Sequence, residues 1–355
     1  MDIGITIPSA GDSWKVVERA EELGFTHAWF YDTQLLCADV FVSMAAAAVR
    51  TNRIRLGTGV LIPTNRIAPV TANAFASLNQ LAPGRIDFGV GTGFTGRRTM
   101  GANAMKLAEM EDYIRVVYGL LDGDTVDFAF EGADRPVRFL NPDLGLIDIE
   151  HPVRLHVSAF GNRSRALTAN LKADWLNIVF TERTGLKDID RMKRSWQEAG
   201  NSDDLYATMF TLGCVLEPGE PYDSPRAMVQ AGPSAAVFLH AVVEREALTG
   251  ERAELPPAHR ELADRYHKLY ESYPADSRYL SLHRGHMMFV RDDEREFISP
   301  DLIREKSSTG TRDELIERFV RLKEAGYKQI AIQLMRGHED AIEDWVPVLN
   351  AVRAA

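Results

Sequence analysis

The sequence predicts a (β/α)8 barrel, and three observations lead there. Strand-like apolar runs alternate with amphipathic helical runs over the first hundred residues and again from residue 153 onward. The joints between them are short, as in parallel βαβ units. Runs such as "GITI" are apolar throughout, as strands covered on both faces must be.

Taken in order, strands are expected at 2–8, 27–32, 54–63 and 85–93, with helices at 12–25, 38–51, 68–82 and 107–123. Gly24 is a typical helix stop, and Pro69 is tolerated in a first turn. Residues 124–150, with scattered aromatics, Pro and Gly, read as an elaborated loop. Strands follow at 153–160 and 174–180, with helices at 162–173 and 184–200. The seventh strand is expected at 205–217 and the eighth at 327–335, the latter between helices 312–326 and 339–353. A barrel of this kind typically takes about 250 residues. The surplus sits at 218–310, an expected insertion between strand seven and the last helix–strand unit, with helices near 224–248 and 258–273. The expectation is one domain over 1–355.

A formal net charge of −10 speaks against a nucleic-acid partner. The N-terminus has no basic segment leading into a long apolar run, and no stretch of ~18 uninterrupted apolar residues occurs. A cytoplasmic protein with no membrane partner is therefore expected. Cys37 and Cys214 are far apart and read as free thiols.

Gly91, Gly93 and Gly96 in "FGVGTGFTGRRTMG" match G-x-G-x-x-G. A dinucleotide site would open a helix at once and close the next strand with an acid ~20 residues on. Here the next clear helix starts near Ala104, and Glu109 and Asp112 lie inside it. The segment reads instead as a turn at the C-terminal mouth of the barrel, where active sites form. Gly91, Thr92 and Gly93 are cofactor-contact candidates through their backbone, and Arg97 and Arg98 either meet an anion or face solvent. Asp32, at the end of strand two, is a polar anchor, an acid–base group or a cap for the next helix. Asn65 and Arg66 lie just beyond strand three, within reach of substrate or cofactor. Phe94, Phe160, Phe180 and Trp29 are either pocket walls or core. Gly161 and Asn162 precede a helix, where Asn is a good N-cap and free N–H groups bind phosphate, with Arg163 and Arg165 adding charge. His283 and His286, in "HRGH", are surface residues or, with the insertion folded over the mouth, proton carriers. No cluster with ligand spacing flanks them, so no metal is expected. His156 reads as barrel interior.

The runs "AEELGFTHAWFYDTQ", "ADVFVSMAAAAVRTNRIRLGTGVLIPTNRIAPVTANAFASLNQLAPGRIDFGVGTG" and "SSTGTRDELIERFVRLKEAGYKQIAIQL", and more loosely "VSAFGNRSRALTANLKADWLNIVF", resemble the bacterial-luciferase-like superfamily of flavin and deazaflavin oxidoreductases. They are most similar to its methylenetetrahydromethanopterin-reductase-like branch. The resemblance implies a barrel that binds reduced FMN, or the deazaflavin coenzyme F420, at the C-terminal strand ends. It implies a non-prolyl cis peptide at Gly59–Val60, with Gly57, Gly59 and Val60 under the ring. It places the phosphate at Phe160, Gly161, Asn162 and Arg163, where many relatives carry Ser-Gly-Pro. Asp32, His283 and His286 are the catalytic candidates, and Asn65 and Phe94 the substrate-binding ones. The implied function is a two-component FMN monooxygenase acting on a small organic substrate with O2. Reduced flavin would come from a separate NAD(P)H–flavin reductase. The alternatives are hydride transfer with a deazaflavin and a non-catalytic flavin-binding protein. A homodimer is expected by resemblance.

Overall fold

A computed structural model describes residues 1–355. Eight parallel strands close into a barrel: Asp2–Ile7, His27–Phe30, Arg55–Thr58, Ile86–Val90, Arg154–Ser158, Asp174–Ile178, Ala207–Thr211 and Gln329–Gln333. Each pairs with its predecessor, and the first closes on the eighth in the register Asp2↔Gln329 to Thr6↔Gln333. Helices alternate with the strands and pack outside them. Most of the apolar core lies in the shell between, where residues such as Phe75, Phe88, Trp175 and Trp345 are buried.

The barrel's interior has two layers. Toward the C-terminal ends, Trp29, Leu176, Phe210 and Ala331 form an apolar plug, with Val60 and Ile178 against it. Nearer the N-terminal ends lies a buried charged layer. The Arg55 guanidinium donates to Asp87 at 3.0 and 2.6 Å, and His156 and His27 stand 3.6 and 3.8 Å from the same carboxylate. Burial would raise the Asp87 carboxyl, but His156 and Arg55 outweigh it and hold the group below the usual range. Burial pushes His27 down to about 4, against the pull of Asp87. Trp29 Nε1 donates to Gln329 at 2.9 Å and joins the two layers.

Three expectations need correction. Residues 124–150 are not all loop, because Val126–Phe130 and Ala133–Val137 form an antiparallel hairpin. Its turn, Glu131-Gly132, has both residues at positive φ, the geometry that a two-residue hairpin favours. The seventh strand stops at Thr211. A Cβ on Gly213 would meet the Ser308 carbonyl at 2.0 Å, so the returning chain crosses there, and Val215–Leu216 pairs with Gly310–Thr311 instead. The glycine-rich turn does open a helix, the short Phe94–Arg98, before the longer Leu107–Leu121.

The insertion lies where expected. It contains the Pro225–Thr249 and Pro257–Ser272 helices, the short Arg278–Leu282 helix and Pro300–Lys306. Its own apolar core gathers Leu239, Val243, Tyr266, Leu282, Phe297 and Leu302 among others. No helix is long and apolar enough to cross a membrane.

Candidate functional site at the mouth of the barrel

Four loops build the mouth. The chain after strand three turns through a cis peptide at Gly59–Val60, where the resemblance implied one. Gly59 and Val60 are half-buried above the Trp29–Phe210 plug, giving the mouth a flat, uncharged floor. Gly57 is buried, since its missing side chain leaves room for the Trp29 ring, which a Cβ would meet at 2.5 Å.

The loop after strand four is held against the third. A Cβ on Gly91 would meet Val60 at 2.8 Å, and one on Gly93, at φ +72°, would meet Ile62 at 2.6 Å. These glycines therefore allow close packing between two loops, so a ligand is not needed to explain them. Thr92 and Thr95 are half-buried, and Phe94 stands 51% exposed at the rim. Arg97 donates to the Asn103 carbonyl, and Arg98 Nε lies 3.7 Å from Glu244 with its guanidinium over Phe94.

Asp32 is 4% exposed and fully engaged. It accepts from Ile62 N–H at 3.0 Å and from Arg66 Nη1 at 3.0 and 3.1 Å. Arg66 also reaches Asp39 at 2.5 Å. Asp39, not Asp32, caps the Val40–Ala48 helix, accepting from Phe41 and Val42 N–H. This corrects the cap expectation for Asp32 and shows it anchoring the third loop. Asn65 belongs to the same clamp, donating to Gln34 Oε1 at 2.8 Å, while Gln34 donates to the Gly96 carbonyl at 2.6 Å.

The loop after strand five carries Phe160, 54% exposed, followed by exposed Gly161, Asn162 and Arg163. The N-cap is Gly161, not Asn162, which occupies the first turn and accepts from Arg165. Arg165 is buried against the Phe160 carbonyl, so it braces the loop and is not a free cation. The first-turn amides of the nine-residue Asn162–Asn170 helix lack intrahelical partners. A Cβ on Gly161 would meet nothing nearer than Ser164 Oγ at 3.8 Å. A flat floor, a helix N-terminus and open space above Gly161 fit a planar heterocycle that carries a phosphate.

The insertion covers the mouth through residues 283–288. His286 Nε2 lies 3.2 Å from Thr95 Oγ1, the Met287 carbonyl accepts from Gln333 Nε2, and Met288 sulfur is 4.0 Å from Cys37. These contacts tie the insertion to the loops after strands two and four and to the end of strand eight. His286 thus takes the expected position over the mouth. His283 does not, because its Nε2 is bound to Glu244 at 2.9 Å inside the insertion. A second buried pair, His240–Glu294 at 2.7 Å, lies beside them. Tyr266 and Arg291 complete Glu294's shell at 2.9 Å each. Burial raises the Glu294 carboxyl, but His240 and Arg291 bring it below the ordinary value. Burial, with His240, His283 and Arg291 close by, drives His286 well below its ordinary value, so it is neutral. No three His, Cys, Asp or Glu side chains are arranged to hold a metal ion. Sequence reasoning did not find His240, Glu244 or Glu294. The one local signal was the i,i+4 spacing of His240 and Glu244, and each pairs with a residue distant in sequence.

A family model described as luciferase-like monooxygenase matches residues 5–329. The chain is 33% identical over 132 residues to 5,10-methylenetetrahydromethanopterin reductase of Methanolobus tindarius, covering 33% of this chain and 40% of that one. It is 42% identical over 93 residues to F420-dependent glucose-6-phosphate dehydrogenase of Nocardia farcinica, 24% of this chain and 28% of that one. The matches thus span less than half the length of these curated relatives. Among solved structures, the coenzyme F420 dependent tetrahydromethanopterin reductase of Methanopyrus kandleri superposes with a TM-score of 0.69 at 18% identity, over 97% of each chain. The oxygenating constituent of 3,6-diketocamphane monooxygenase of Pseudomonas putida, in complex with FMN, gives 0.64 at 16% identity, over 98% and 96%. At those identities the structures speak to the fold alone.

Proposed function

The chain belongs to the luciferase-like monooxygenase family, and on that premise we propose that it is a deazaflavin-dependent oxidoreductase, which exchanges hydride with a small alcohol, aldehyde or related carbonyl substrate. The carrying observation is the half-buried His286–Thr95 pair over the mouth. Hydride exchange at a carbinol carbon requires an accompanying proton movement at oxygen, and this pair supplies a neutral imidazole for it. The named relatives support the same reading, because one of them is an F420-dependent glucose-6-phosphate dehydrogenase.

The cofactor, when bound, supplies the hydride chemistry. The residues of the chain bind and orient. Gly59, Val60 and the plug beneath support the ring, and Gly91–Gly93 form a wall. Exposed Gly161, Asn162 and Arg163 meet the phosphate. Asp32, Arg66, Asn65 and Gln34 hold the third and fourth loops in place. The 283–288 segment excludes water from above.

A second reading is the FMN monooxygenase with O2, served by a separate flavin reductase. Exposed Phe94 and Phe160 at the rim favour it, because an aromatic wall suits an apolar substrate. The test is an anaerobic screen of secondary alcohols, aldehydes and sugar hemiacetals with oxidised F420, following loss of the deazaflavin absorbance. Bleaching by one substrate class supports the proposal. O2-dependent turnover with reduced FMN alone rejects it in favour of the second reading.

A further inference from the structure

The mechanism above leaves a costly feature unused. His240, His283 and His286 are only 3, 2 and 9% exposed, and in all three Nδ1 has no hydrogen-bond partner. The His286 ring centroid is 5.3 Å from that of His283 and 5.8 Å from that of His240. The rings are neighbours but no ring nitrogen bonds directly to another, so a link between them runs through a single bridging water. Three unpaired polar atoms gathered in one buried cluster call for an explanation.

The proton positions supply one. A carboxylate only accepts, so Glu294 and Glu244 fix the proton of His240 and His283 on Nε2. In its neutral form each ring then presents a bare lone pair at Nδ1. His286 is the one ring of the three with no carboxylate, and its Nε2 meets a hydroxyl that can donate or accept. With its proton on Nδ1, His286 can donate through the bridging water to a neighbouring lone pair, and its Nε2 can accept from Thr95. Donors and acceptors then match along the whole chain of groups.

We infer that the insertion houses a proton relay that runs from Thr95 through His286 to the His283–Glu244 pair, with His240–Glu294 as the second imidazole facing His286. The role of the relay in turnover rests on the hydride-transfer reading. When a substrate alcohol is oxidised, its C–H electron pair leaves as hydride to the deazaflavin. The hydroxyl proton passes to Thr95 Oγ as Thr95 gives its own to His286 Nε2. The Nδ1 proton of His286 then passes through the bridging water to His283 Nδ1, which leaves an imidazolium against Glu244. Reduction of a carbonyl runs the same path backward. Glu244 acts through His283 and is a positioning residue. Its other oxygen lies 3.7 Å from Arg98 Nε, at the rim. The other charged and titratable groups around the cluster include Arg291, Tyr266 and Tyr273, which bond to one another and to Glu294 or Asp293, and Tyr270, whose hydroxyl is pushed up by burial and by Glu244.

The test uses the cofactor-free protein with ¹⁵N-labelled histidine at neutral pH. Long-range proton–nitrogen spectra report the tautomer of each ring. The relay expects His240 and His283 as Nε2–H and His286 as Nδ1–H. A neutral His286 on Nε2–H, or a cationic His286, overturns it, and the wild-type spectrum decides this without any variant. Glu244→Gln, which keeps size and packing, is expected to release the fixed tautomer of His283 and to shift His286, which Glu244 does not touch. An unchanged His286 would overturn the coupling. With a substrate in hand, the same variant is expected to lose about 100-fold in kcat with KM little changed. Failure of deazaflavin to bind would sink the hydride-transfer reading and leave these spectra as they are.

Discussion

Replacing Asp32 with Asn separates an anchor from a catalyst. Asn keeps the shape and one oxygen for the Ile62 N–H but turns an N–H toward Arg66, which loses its 3.0 Å bond to Oδ1 and the charge behind the 3.1 Å contact to Oδ2. Removing one partner of a buried ion pair costs about 3–5 kcal/mol. Arg66 retains Asp39 and is 17% exposed, which lowers the expectation for this pair to about 2–3 kcal/mol. For a 355-residue chain, an unfolding entropy of about 2.1 cal/mol/K per residue converts that to a fall in Tm of about 3–4 °C. Circular dichroism melts of wild type and D32N read it directly. An unchanged Tm together with abolished turnover would refute the anchoring role in favour of the acid–base one.

Three further outcomes are expected. A Cβ at Gly161 meets nothing nearer than 3.8 Å, and the φ is ordinary and extended, so in Gly161→Leu the Tm should hold while cofactor affinity falls at least ~10-fold by obstruction of the anion site; unchanged affinity would remove this turn from the site. Gly93→Ala forces a Cβ against Ile62 at positive φ, and urea titration should show a loss of about 1–3 kcal/mol. His27 is held neutral in the fold, to about pH 4, whereas the unfolded chain takes up the proton near 6.5. The unfolded state therefore binds more protons in that window, and stability should fall as pH drops from about 6.5 to about 4. His27→Asn should flatten that slope, and an unaltered slope would show that other groups carry it.

The barrel was legible because its strands are buried on both faces and therefore write continuous apolar runs, of which "GITI" is the plainest. The hairpin was less so. Val126, Phe128 and Phe130 alternate as a strand should, but Pro136 in the partner and the polar turn blur the signal. The glycine-rich turn was placed correctly at the mouth, yet the reason for its glycines lay in Val60 and Ile62 of another loop, which no local pattern reveals. Asp32 was legible as polar and well placed. Its engagement by Arg66, Ile62 and Asn65 depends on loop closure across 30 or more residues. His286 could be placed from "HRGH" and the length of the insertion. His240 and Glu294 could not, because their pairing spans 54 residues, one on a helix and the other in a turn, and neither local pattern marks them as buried partners.

The central claim is the cofactor class. Equilibrium binding of oxidised F420 and of reduced FMN, each measured anaerobically by fluorescence on the same protein, tests it most directly. The account expects F420 to bind at least ~10-fold more tightly, a margin of about 1.4 kcal/mol. Tighter binding of reduced FMN, followed by a flavin–oxygen adduct when O2 is admitted, would contradict it.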